Sequence, residues 1–308
     1  LQAMEAPTEQ PVAEAAAPAA VADATAAAEG DDWSDVANDF SALQTVDITA
    51  KLTLESLVYR NIKLDRSSLA AKLSGGLLTV KFDKLALYSG SGSGSLSIDS
   101  RQAPVRLAIA ADLAGIDSRP LLRDALAVDW LAGHGAMSFK LSAIGDSVRS
   151  WMASLGGAGK VSFREGAIVG FNLPQTIRGL EQGRLDGWKA GGTAKTDFSE
   201  LDATFTVAEG EVGNKDLRLT GPLLRLTGAG KVLLSSRSLD YVARPKLVAS
   251  LEGQGGDTAL AGIEIPVKLT GPWQRPRLTP DLTAVLRDPK ATAEAAKKIG
   301  ETLKGSKG

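Results

Sequence analysis

Few residues in this chain of 308 could do chemistry. Cysteine is absent and His134 is the single histidine, which excludes thiol nucleophiles, Cys-zinc sites, iron–sulfur clusters and disulfides. One histidine cannot assemble a His-based metal cluster, and Ser-His-Asp hydrolysis would have to rest on it alone. It stands between Gly133 and Gly135, in what reads as a turn carrying an exposed polar residue. Glu200 and Asp202 alternate toward the wet face of a strand, and such a pair serves as acid and base only inside a cleft. Asp31 and Asp32 belong to an acidic stretch where solvation accounts for them. The pentapeptide Gly-Ala-Gly-Lys-Val occurs at 157–161 and 228–232, each time reading as the opening of a strand. A phosphate loop would need Ser or Thr after the lysine and a helix beyond, whereas Lys160 and Lys231 are both followed by valine. Trp130, Trp151, Trp188 and Trp273 are scattered and form no stacking platform. The expectation is a protein without catalytic residues, metal or cofactor.

The elements that carry these residues are set by composition and periodicity. Hydrophobic residues make up 44% and aromatic residues only 5%, so any core is aliphatic. Thirty-five Lys+Arg against 36 Asp+Glu give a net charge of −1, and no global basic field points to nucleic acid. Nine of the acids lie within residues 1–40, which contain no base. The first 31 residues, rich in Ala, Pro and acid and broken by Pro7, Pro11 and Pro18, read as a disordered linker. No apolar run reaches the roughly 18 residues of a membrane span. The chain begins with Leu1 and lacks a basic segment ahead of an apolar one, so it reads as a piece of something longer, with any anchor upstream.

From about Thr45 onward apolar and polar residues alternate. The pattern is clear at 46–54, 78–82, 105–109, 137–141, 161–163, 201–207, 217–219 and 263–269. A period of two with Lys, Arg, Asp, Ser and Thr on the other side predicts antiparallel strands with one dry and one wet face. Ser74-Gly75-Gly76, Gly210 and Gly213-Asn214 punctuate them, and the Gly/Ser run 90–95 reads as a hairpin or linker. Short helices are predicted at 118–129 (capped by Asp117 or Ser118), 145–155 and 173–182. The segment 281–308 reads as two short helices broken at Pro289: a solvated end, a lid on a groove, or a membrane-surface contact. Periodicity alone leaves two architectures open, a closed β-sandwich and a single curved sheet with an apolar trough.

Further residues carry a resemblance. Asp32-Trp33-Ser34, Gly75-Gly76-Leu77 with Leu87-Tyr88, and Leu96-Ser97-Ile98-Asp99 come first. Leu113-Ala114-Gly115-Ile116-Asp117 with Pro120-Leu121-Leu122, the stretch 159–173, and Leu269-Thr270-Gly271-Pro272-Trp273 with Pro276-Arg277-Leu278 follow. In this order, over about residues 32–283, the series resembles the C-terminal region of AsmA-family proteins, which are similar to bridge-like lipid-transfer proteins. The resemblance implies a mainly β fold: a long antiparallel curved sheet forming an elongated apolar groove over 32–280, with a few short helices. It implies a domain on an inner-membrane-anchored protein in the Gram-negative periplasm, acting in phospholipid transport and outer-membrane assembly. Phospholipid acyl chains would lie along Val105, Leu107, Ile109, Met137, Phe139, Leu141, Val161, Phe163, Phe205, Val207, Ile265 and Val267. An outer-membrane or periplasmic protein would be a further partner. The alternative is a structural or chaperone-like β-domain that assists outer-membrane proteins by strand pairing.

Overall fold

The computed structural model describes residues 33–59, 61–181, 193–248 and 264–281, and all of them belong to one compact unit beginning at Trp33. The sequence readings for 1–31 and 282–308, Trp188 and Ile263 fall outside these residues. In chain order the strands are β1 (Ile48–Leu54), β2 (Leu57–Tyr59), β3 (Ile62–Leu64), β4 (Ser67–Ser74) and β5 (Leu77–Leu87). Next come β6 (Gly90–Asp99), β7 (Arg106–Asp117), β8 (Leu131–Ile144), β9 (Gly156–Val169) and β10 (Lys195–Ala208). The series closes with β11 (Glu211–Thr220), β12 (Leu224–Leu233), β13 (Ser238–Leu247), β14 (Val267–Pro272) and β15 (Arg277–Pro280). Three short helices interrupt it: α1 (Ser118–Leu126), α2 (Val148–Ser154) and α3 (Leu173–Glu181).

Thirteen strands form one antiparallel sheet in the order β1-β4-β5-β6-β7-β8-β9-β10-β11-β12-β13-β14-β15, and β2-β3 is a separate hairpin. The sheet is a long, curved, open meander and does not close into a barrel. The alternation explains why: each strand has one apolar side, and pairing with its chain neighbour places these sides on one face. Where the alternation slips, the register shifts, as between Leu113 and Ile116 in β7 and between Asp202 and Thr206 in β10. Such irregularities raise local twist and bend the sheet.

The helices sit where the chain predicts them, and their caps are local. The Asp117 side chain accepts the Arg119 N–H at the start of α1, and Ser147 and Ser150 form a reciprocal capping box on α2. At α3 the buried Thr196 hydroxyl accepts the Leu173 N–H and donates to the Phe171 carbonyl, fixing the helix to β10.

Four local readings are corrected. Gly213-Asn214 does not separate strands but lies inside β11, beside the register shift between Asn214 and Leu217. The Gly/Ser run 90–95 is no linker: it opens β6, a central strand paired on both sides. Its glycines are there because β7 comes close: a Cβ on Gly92 would lie 1.9 Å from the Asp112 carbonyl oxygen. Gly133-His134-Gly135 is not a turn but lies inside β8, where the register shifts between Ala132 and His134. His134 is exposed there, opposite Asp117 and Arg164. The second Gly-Ala-Gly-Lys-Val copy closes β12 rather than opening it, while the first lies at the start of β9.

Candidate functional site

In an antiparallel ladder, residues directly opposite each other point to the same side, so the register traces each face across the sheet. One row runs Leu69, Phe82, Gly94, Ala111, Phe139, Gly159 and Phe205 from β4 to β10. A second runs Ala50, Ala71, Val80, Leu96, Ile109, Leu141 and Gly157 from β1 to β9. It continues through Val207, Val212, Val232 and Leu239 to β13. No charged residue interrupts either row. The face is thus one apolar surface crossing nearly the whole sheet.

Two clusters cover parts of it. Toward the C-terminus Phe163, Leu201, Leu219, Leu224, Leu226, Ala243 and Val267, drawn from six successive strands, pack around Leu173 and Ile177 of α3 and around Ile265. Nearer the N-terminus Leu85, Leu87, Ala111, Leu113 and Ile116 pack with Leu121 of α1 and Leu64 of β3. The Tyr88 hydroxyl ties this lid together by donating to Asp124 of α1 and accepting the Lys63 N–H of β3. Between this lid and the opposite ends of the strands, Leu78, Val80, Leu96, Ile98, Leu107 and Leu141 are only half-buried, and Ile109 is 45% exposed.

The expected lining residues divide along the same boundary. Leu107, Ile109, Met137, Phe139, Leu141, Val161, Phe163, Phe205, Val207 and Val267 all lie on the apolar face by register. Val105 immediately precedes β7, Ile265 lies two residues before β14, and both are buried. Phe163, Ile265 and Val267 are enclosed in the α3 cluster, Val207 is buried, and Met137 and Phe139 pack beside the α1 cluster. Leu107, Ile109 and Leu141 remain on the open strip, Phe205 is half-buried next along, and Val161 is half-buried against the edge of the α3 cluster. The strip also includes Leu78, Val80, Leu96 and Ile98, which the expected lining omitted. For the last two, the signal was the alternation Leu96-Ser97-Ile98, hidden at the end of a run that reads as a linker.

Two of the tryptophans that read as scattered, Trp130 and Trp273, come together with Trp33, whereas Trp151 packs apart from them against Phe40. Trp33 meets Trp273 edge-on, with ring centroids 6.2 Å apart, and the Arg237 guanidinium lies 3.9 Å over the Trp33 ring. The Trp130 indole N–H donates to the Trp273 carbonyl at 3.0 Å. Trp130 precedes β8 and Trp273 follows β14, so they sit at opposite ends of their strands. Six interstrand steps separate β8 from β14, and a twist of about 20–25° per step turns strand direction by roughly 120–150°. Twist therefore brings opposite ends together and rolls this half around α3. Sequence spacing cannot show a cluster assembled in this way.

The opposite face carries Asp112, Ser138, Lys160, Ser162, Thr204 and Arg218 around an open depression of about 540 Å³ that Ala136 and Ala203 also line. Arg164 bridges Glu200 at 2.8 Å and Asp202 at 3.3 Å. Burial alone would raise the Asp202 pKa, but hydrogen bonds from Ser162 and Arg164 outweigh it and hold the carboxyl below its usual range. The Thr204 N–H and hydroxyl hold Asp216 low in the same way. Burial, aided by the Asp216 charge, pushes the Tyr241 phenol up. These groups are held away from neutrality, the reverse of what a general acid or base needs. Among the described residues no group of His, Asp and Glu is placed to hold a metal ion.

The sequence model of the AsmA family matches residues 3–217, more than half of the chain. The chain belongs to the AsmA family. No curated protein and no solved structure matches it. AsmA proteins are in general associated with the cell envelope, in lipid transport and assembly. Among the described residues no helix is long and apolar enough to cross a membrane.

Proposed function

We propose that this AsmA-family chain is a non-enzymatic periplasmic domain that holds phospholipid acyl chains against its apolar face and passes them between inner and outer membranes. One observation carries the reading: the strip from β5 to β8 is apolar, unbroken by charge and accessible, with Ile109 at 45% exposure. Water against such a strip is unfavourable at about 25 cal/mol per Å², and an acyl chain laid across the strands replaces it without needing any specific polar contact. The polar face stays hydrated, which suits a carrier working in an aqueous compartment.

The test is photo-crosslinking with the reactive group placed in turn at Leu107 and Arg106. Leu107 stands opposite Ile98 and Ala143 on the apolar face, whereas Arg106 is exposed on the other. Phospholipid should be captured from Leu107 and not from Arg106. Equal capture from both positions, or none from Leu107 in cells that make the protein, would overturn the reading.

A further inference from the structure

The two edges of the sheet are built differently. The last strand, β15, has four residues, Pro276 immediately before it and Pro280 within it. Proline cannot donate a backbone hydrogen bond, and a short proline-bearing edge resists pairing with other chains. The first strand, β1, has seven residues and pairs with β4 in unbroken register from Ile48 opposite Leu73 to Leu54 opposite Ser67. It contains no proline and no bulge, and among the described residues no strand lies on its other side. Ile48 and Leu52 are 42% and 48% exposed on the apolar face, so that face runs to the edge unsealed.

The other side of this edge is basic. Lys51 of β1, Lys72 of β4 and Lys81 and Lys84 of β5 are exposed on the polar face. Their register partners are Ala70 for Lys51, Thr49 and Thr79 for Lys72, Ala70 and Ser95 for Lys81, and Ser68 for Lys84. No carboxylate stands directly opposite any of them; the nearby acids are Asp83 in the β5 irregularity, Asp47, which accepts the Gly75 N–H, and Glu55, which pairs with Arg66. We propose that the β1 edge is a docking site for an extended strand of another protein, apolar on one side and acidic on the other. Main-chain hydrogen bonds would extend the sheet beyond β1. The apolar side would continue the surface of Ile48 and Leu52, and the acidic side would face Lys51 and Lys72. A second copy of this chain is the poorer occupant. Its β1 would bring the same lysines onto the same face, and its β15 edge offers Arg277 there, with Lys268 behind it on β14. Like charges opposite each other destabilise strand pairs.

The probe is a peptide of about eight residues alternating valine with glutamate, compared with one alternating valine with lysine. With the full chain, the glutamate peptide should bind about tenfold or more tightly than the lysine peptide. It should also slow hydrogen exchange of the amides of residues 48–54. The double variant Lys51→Glu/Lys72→Glu should reverse the preference. Leu52→Lys should lose both peptides while melting like the parent, since that side chain is already half in water. Protection outside β1, no preference between peptides, or no reversal would overturn the proposal. So would protection of β1 by phosphatidylglycerol vesicles but not by peptide, which would make the edge a membrane contact. Protection that rises with protein concentration alone would make it a self-association site. Lipid capture at Leu107 is read separately, so the groove and the edge can fail independently.

Discussion

From β9 to β14 the apolar face is rolled around α3, and its residues reach the exposure of an ordinary core: Leu219 2%, Leu224 1%, Val267 1%. From β1 to β8 the same alternation builds the same kind of face, yet it is buried only toward the strand ends, beneath α1 and the β2–β3 hairpin at one and at Leu73, Val105 and Ala143 at the other, and the strip between stays accessible. What differs is the connection. The excursion between β9 and β10 supplies a helix whose Leu173 and Ile177 enter the roll, and the clasp of Trp33, Trp130 and Trp273 bridges across it. The turns of β4-β5 and β5-β6 are tight and supply nothing to lay over Val80 or Leu96. Period-two patterning makes an apolar face; connection length decides whether it becomes core or surface.

The sharpest way to break this contrast is to place one charge on each half. Leu219→Glu would bury an unpaired carboxylate in the α3 cluster and should cost about 4 kcal/mol or more, enough to unfold the domain. Ile109→Glu should cost under about 1 kcal/mol, because its carboxylate remains hydrated. Urea denaturation of both variants measures the difference; equal losses would mean that the strip is as dry as the roll. A smaller effect sharpens how the open half is held. Gly92→Val forces a side chain into the Asp112 carbonyl and should destabilise by about 1–3 kcal/mol, read as a lowered melting temperature.

Much of this was legible in the residues. The strands at 48–54, 78–82, 105–109, 137–141 and 201–207 and all three described helices could be read from alternation and caps, because those signals are local. The partition of the face could not be read. Val161 and Phe163 alternate identically, but the first packs half-buried against the rim of the α3 cluster and the second is buried within it. Their fates depend on strand twist summed over several strands, which no single strand encodes. His134 and the run 90–95 were misread for a related reason: glycine marks close approach between strands as readily as it marks a turn.

The smallest effect concerns the polar face. Asp216 accepts from the Thr204 N–H and hydroxyl and from the Asn214 amide, across the irregularity in β11. Its pKa is lowered in the folded chain. The stabilisation is therefore present above the ordinary carboxylate range and is lost as pH falls through the depressed folded value. Asp216→Asn should cost at most about 1 kcal/mol at pH 7, since water competes for an exposed carboxylate. Melting curves should show parent and variant converging below about pH 4.

The segment 33–45 has a consequence for the time course of folding. Its contacts run along the strand ends: Trp33 to the Leu234 carbonyl, Ser34 to the Arg149 N–H, Asn38 to Asp146, and Gln44 to the Ser100 carbonyl. The sheet itself is a meander, so each strand can add to its predecessor as soon as the chain supplies it. The segment that precedes the first strand behaves oppositely. Trp33 lies 201 residues from its hydrogen-bond partner and must wait, exposed, until β12 has been made. The earliest part of this domain to emerge from a ribosome is thus among the last to find its place, and its docking reports that the far end of the sheet is complete.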